Sequence, residues 1–123
     1  MDLSNKGLES LPAAIGELDS LKVLNLNGNE IKHFPESFWK LEKLEQLMIN
    51  RNELDSLPKK IGSLKNLQKL FVSKNNLSSI PETITGLKNL RTLDLSFNNL
   101  SDKDADFIRQ ALADCFVLVY GEM

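Results

Sequence analysis

Leu67-Gln68-Lys69-Leu70-Phe71-Val72-Ser73-Lys74-Asn75-Asn76-Leu77-Ser78-Ser79-Ile80-Pro81-Glu82-Thr83-Ile84-Thr85-Gly86-Leu87 is the stretch that decides the fold. Its apolar residues fall at Leu67, Leu70 and Val72, then, beyond Asn75, at Leu77, Ile80, Ile84 and Leu87, with Pro81 breaking the second half. Stepping back 23 residues returns the same phrase as Leu44, Leu47, Ile49, Asn52, Leu54, Leu57, Pro58, Ile61 and Leu64. Another 23 gives Leu21, Leu24, Leu26, Asn29, Ile31, Phe34, Pro35, Phe38 and Leu41. Stepping forward gives Leu90, Leu93, Leu95, Asn98 and Leu100 before the pattern changes. An incomplete copy precedes them all, with Leu3, Leu8, Leu11, Pro12, Ile15 and Leu18, and with Lys6 where the Asn should be. A fixed period of this length specifies a solenoid, in which no unit buries its core alone and each rests on its neighbours.

Each position of the phrase has a physical reason. Leu-x-x-Leu-x-Leu is a short strand whose leucines point inward, and successive strands stack in parallel with side chains alternating between core and solvent. The Asn follows where the chain turns out of the strand and leaves backbone groups unpaired. Its amide carries both donors and an acceptor, so Asn29, Asn52, Asn75 and Asn98 can satisfy those groups as a ladder. The Pro fixes φ and prevents regular structure from running through the outer arc.

The phrase resembles the leucine-rich repeat in its 23-residue form. Leu57-Pro58-Lys59-Lys60-Ile61-Gly62-Ser63-Leu64-Lys65-Asn66-Leu67 is similar to repeats of small bacterial leucine-rich proteins, those of Leptospira especially, and to eukaryotic Ras-associated leucine-rich proteins. The resemblance covers nearly the whole chain. It implies an α/β leucine-rich repeat solenoid: a short curved arc with a parallel β-sheet on its concave face and an irregular or 3-10 convex side. The family shares architecture far more than activity.

At 123 residues the chain reads as one domain, with a partial repeat over 1–20, four repeats over 21–100 and a cap over 101–123. The net charge of −2, with acids and bases interspersed, gives no case for nucleic acid, and no apolar run is long enough to span a membrane. The first residues lack the apolar stretch of a signal peptide, so the chain is cytoplasmic or a leader has been removed; it opens inside a repeat, which leaves trimming open. The single Cys115 excludes an internal disulfide, and the absence of cysteine-rich caps favours a reducing compartment or a bacterial origin. Asn76-Leu77-Ser78 and Asn99-Leu100-Ser101 match glycosylation sequons but read as by-products of the repeat.

A solenoid must close its ends. Asp102 to Asp114 has a helical pattern through Phe107, Ile108, Ala111 and Leu112, with Ser101 as N-cap and Asp102, Asp104 and Asp106 at the positive end of the dipole. Cys115-x-x-Leu118-x-Tyr120 then repeats the strand spacing 25 residues after Leu90-x-x-Leu93-x-Leu95, which predicts a fifth strand over Phe116 to Tyr120 with a buried Cys115. This last unit resembles the helical repeats of ribonuclease-inhibitor-type proteins. The N-terminal end lacks a strand in this reading and is expected to fray, relying on Leu8, Leu11 and Ile15.

No constellation able to carry a reaction stands out. His33 is alone, and Asp102-x-Asp104-x-Asp106 lacks the Gly and Glu that a calcium loop needs at its later positions. There is no phosphate-binding Gly loop and no nucleophile elbow. The expectation is a non-catalytic protein-interaction module with no metal, no cofactor and an unidentified protein partner, as a monomer or weak homodimer. The alternative is a structural scaffold or a fragment of a larger repeat protein. The binding residues would lie on the concave face at the outward strand positions. Met48 and Phe71 form an apolar centre on adjacent rungs, Phe97 lies one rung further and across, and Lys69, Arg51, Lys74 and Asp94 set orientation. Trp39 follows Phe38 on the convex arc and could be packed or exposed.

Overall fold

The computed structural model describes residues 1–121. Its sheet has five parallel strands in chain order: β1 (Val23–Asn25), β2 (Gln46–Met48), β3 (Lys69–Phe71), β4 (Thr92–Asp94) and β5 (Phe116–Leu118). The first three pairings keep a register of one repeat, Leu24 against Leu47, Leu47 against Leu70 and Leu70 against Leu93. Those four leucines are fully buried, and with Leu26, Ile49, Val72 and Leu95 they form the inward face of the sheet. Burying each such side chain contributes about 1.5–3 kcal/mol before chain entropy is counted.

The asparagine ladder forms as its chemistry requires. Asn75 Nδ2 donates to the carbonyls of Ile49 (2.9 Å) and Val72 (3.1 Å), and its Oδ1 accepts from the Leu54 amide at 3.1 Å. Asn52 and Asn98 repeat the arrangement one rung to either side. Among the described residues no buried side-chain nitrogen or oxygen lacks a partner.

The N-terminal end is better tied down than the missing strand suggests. The Leu3 amide donates to the Asn25 carbonyl and the Asn25 amide to the Met1 carbonyl, and Asp2 bridges to Asn25 in parallel. Asn29 Oδ1 then takes the amides of both Lys6 and Leu8 at 3.0 Å. Thus residues 1–5 follow the path of a further strand. The sequence conceals this because Lys6 replaces the ladder residue, yet the backbone needs only its neighbour's Asn to close.

On the convex side each Pro is the extended residue that precedes a 3-10 turn. The turns are Ala13–Glu17, Glu36–Lys40, Lys59–Ser63 and Glu82–Gly86, after Pro12, Pro35, Pro58 and Pro81. Trp39 is packed rather than exposed, edge-on to Phe38 and Phe34 with ring centroids 5.1 and 5.6 Å away.

The cap is one helix, α1 (Asp102–Ala111), followed by β5. Ser101 Oγ accepts from the Asp104 amide at 3.1 Å, so the N-cap is as expected; the helix ends three residues before Asp114. The register of β5 differs from expectation. Leu93 pairs with Val117, and Asp94 with Leu118, so the offset is 24 residues rather than 25. Val117 and Val119 therefore pack on the core, while Leu118 turns to the concave face. Phe116 to Tyr120 is apolar throughout, so alternation cannot fix the phase of this strand. The strand also stops at Leu118, although the Tyr120 carbonyl still accepts from the Phe97 amide. Cys115 is only partly buried, because the shifted register moves it off the leucine position.

Candidate functional site

Three residues per strand leave two concave columns, read from the register. One is Asn25, Met48, Phe71, Asp94 and Leu118; the other is Val23, Gln46, Lys69, Thr92 and Phe116. Met48 and Phe71 are directly paired and both half-buried, flanked by Lys69, which is exposed. Asp94 ends the apolar pair on the next rung, and its Oδ1 accepts from the Ser96 amide at 3.0 Å, which fixes the carboxylate.

Arg51, Lys74 and Phe97 do not lie on strands. They occupy the turn leaving each strand, in the left-handed region with φ of 58°, 57° and 59°. Gly28 holds the equivalent place in the first repeat with φ 71°. A side chain in this conformation costs on the order of 1 kcal/mol that Gly would not. Gly28 was the sequence signal for this geometry. Phe97 is less free than the other two, because its ring packs edge-on to Tyr120 at 6.1 Å and lies under Lys74 Nζ at 5.6 Å from its centroid. That contact joins Phe97 to the C-terminal cap as well as to the concave rim.

Sequence reasoning missed two features here. Leu118 extends the Met48 column, hidden by the register ambiguity of β5. A second ladder also runs along the rim: Asn27 Oδ1 accepts from the Asn50 amide, and Asn50 Oδ1 accepts from both the amide and hydroxyl of Ser73, each at 2.8 Å. With Arg51 and Lys74 these residues line a polar groove. Its signal was the recurrence of Asn or Ser at positions 27, 50, 73 and 96.

Chemical groups elsewhere are quiet. His33 is exposed, and no cluster of His, Cys, Asp or Glu suited to a metal occurs among the described residues. Burial pushes the Cys115 thiol above its usual range, with Arg91 opposing weakly, so the thiolate is scarce near neutral pH. The Asp2 carboxyl is held low by hydrogen bonds from the Ser4 hydroxyl and amide. No helix among the described residues is long and apolar enough to cross a membrane.

A sequence model described as a leucine-rich repeat region matches residues 1–117. Among solved structures, a leucine-rich repeat protein of Leptospira interrogans is 40% identical with a TM-score of 0.84, over 87% of this chain and 27% of that one. An internalin of Listeria monocytogenes shares the fold at 24% identity and a TM-score of 0.80, over 92% of this chain and 32% of its own. The leucine-rich ectodomain of the Arabidopsis receptor kinase HAESA, solved with a peptide hormone ligand, matches at 29% identity and a TM-score of 0.78, over 99% of this chain and 21% of its own. The chain thus spans a third or less of each of these proteins. No curated protein matches it.

Proposed function

The chain belongs to the leucine-rich repeat family, and from that premise we propose that it is a non-catalytic interaction module that holds a protein partner against its concave sheet. The fold generally serves protein–protein contact. The observation that carries the concave assignment is the pairing of Met48 with Phe71, two half-buried apolar side chains on a face that needs neither for the core. Apolar centres ringed by charge are what protein interfaces use. Lys69, Arg51 and Lys74 supply the basic rim and Asp94 the acidic stop; Phe97 and Leu118 extend the apolar surface towards the cap. The left-handed turns add support, since Arg51 and Lys74 keep strained conformations where Gly28 holds the same turn without strain.

A photo-activatable phenylalanine analogue placed at Phe71, and separately at Ala14 on the convex side, tests this in extracts of the source cells. The expected result is one discrete crosslinked protein from position 71 alone, lost when Met48→Glu is added. Equal labelling from both positions, or none from position 71, overturns the assignment. A crosslink to a second copy of the chain, matched by a dimeric mass in light scattering, identifies the partner as the protein itself.

A further inference from the structure

The convex arc has three junctions between successive 3-10 turns, and the middle one differs from the other two. At the first, Gly16 lets the next turn approach so closely that an added Cβ would strike Ser37, and Ser37 Oγ donates to the Ala13 carbonyl at 2.6 Å. At the third, Gly62 faces Thr83, with Thr83 Oγ1 donating to the Lys59 carbonyl at 2.7 Å. At the middle junction Trp39 stands in the glycine's place and Lys60 in the hydroxyl's. Ser63 Oγ to the Trp39 carbonyl, at 3.2 Å, is a substitute link.

A groove of about 750 Å³ lies over the second, third and fourth turns. Trp39, Gly62 and Gly86 line it, and Lys40, Lys59, Lys60 and Lys65 surround it with one acid, Glu36. Four lysines against one glutamate give the groove a charge of +3, in a chain whose net charge is −2. Lys60 pairs with Glu36 at 3.1 Å, whereas Lys40, Lys59 and Lys65 have no acidic partner among the described residues. Lys65 Nζ reaches across, 4.0 Å from where a Cβ on Gly86 would sit.

We propose that this groove is a second binding site, independent of the concave face, that takes an extended acidic peptide segment of a partner protein. Charge complementarity argues for carboxylates, and the length across three turns argues for a chain rather than a small anion. The apolar parts of the lining would meet aliphatic side chains between the acids. The Lys60–Glu36 pair closes part of the groove and competes with an incoming carboxylate. Binding of this kind weakens with salt, since exposed charges are screened over about 8 Å at physiological ionic strength.

Trp39 is the chain's only tryptophan, which makes it a built-in reporter. The probe is a blocked nonapeptide of Asp-Glu-Leu repeats, with an Asn-Gln-Leu peptide and sodium phosphate at equal ionic strength as controls. Trp39 emission and backbone amide shifts are followed on the full chain. The expected result is a saturable response to the acidic peptide alone, with shifts confined to residues 36–40, 59–65 and 83–86. Lys59→Glu/Lys65→Glu lowers the affinity at least tenfold, and Glu36→Gln raises it several-fold. An equal response to phosphate reduces the groove to unspecific anion attraction and overturns the proposal. So do shifts on the concave strands, absence of saturation, or unchanged affinity in folded variants.

Discussion

On the inner side of the arc, Asn29, Asn52, Asn75 and Asn98 make matching hydrogen bonds rung after rung, whereas on the outer side two junctions carry a glycine–hydroxyl contact and one does not. The difference follows from what each half must satisfy. A strand leaving the sheet presents the same buried donors and acceptors in every coil, so the inner residues have little freedom. The outer turns meet solvent, and a tryptophan or lysine can replace a glycine or serine there at the expense of close packing. Variation in a repeat protein therefore gathers where backbone demands are weakest: on the outward strand positions and along the convex junctions.

The comparison breaks most sharply at the ladder. Asn75→Ala leaves the buried Leu54 amide without its partner and takes one of two side-chain donors from each of the Ile49 and Val72 carbonyls, which keep Asn52 and Asn98. With about 1–3 kcal/mol for the unsatisfied amide and about 0.5–1.5 kcal/mol for each bond lost at the carbonyls, a loss of roughly 3 kcal/mol is expected in urea unfolding. A smaller loss would mean that water replaces the amide and that the ladder is not buried as described. On the outer side the glycines should divide into two classes. Gly62→Ala drives a Cβ to 2.9 Å from Thr83 and should cost about 1–3 kcal/mol. Gly86→Ala meets nothing closer than 4.0 Å and should be neutral or stabilise by up to about 1 kcal/mol. Equal thermal shifts for the two would erase the distinction between a glycine that the next turn closes on and one left open. The smallest effect belongs to the rim. Lys74→Gly relieves a left-handed turn and should gain up to about 1 kcal/mol while weakening the crosslink at position 71. A gain in stability with an unchanged crosslink would remove Lys74 from the site.

Much of this was legible in the sequence because the period is strict. The strand phase, the ladder, the core leucines and the N-cap of α1 all follow from residues that recur at fixed spacing or match a known terminus. Three features escaped for separate reasons. Lys6 masks the N-terminal strand, since the tie comes from Asn29 one coil later. The β5 register depends on a strand with no polar residue to mark its outer face, so Leu118 appeared to point inward. Whether Trp39 packs or protrudes depends on Phe34 and Phe38, and their ring geometry is not a matter of spacing. The candidate site was legible only as outward positions. Sequence placed Met48 beside Phe71, but it did not reveal the left-handed turns that hold Arg51, Lys74 and Phe97.

The most direct test sets two neighbours on one strand against each other. Leu70 and Phe71 are adjacent in β3, the first fully buried and the second half-buried on the concave face. Urea unfolding followed by circular dichroism, with light-scattering mass on the same samples, compares Leu70→Glu with Met48→Glu/Phe71→Glu. Leu70→Glu should abolish cooperative folding, because an unpaired charge in the core costs several kcal/mol. The concave double variant should unfold cooperatively within about 1 kcal/mol of the wild type, as a folded monomer. Collapse of the double variant, with Leu70→Glu still folded, would contradict the assignment of inside and outside on which the whole account rests.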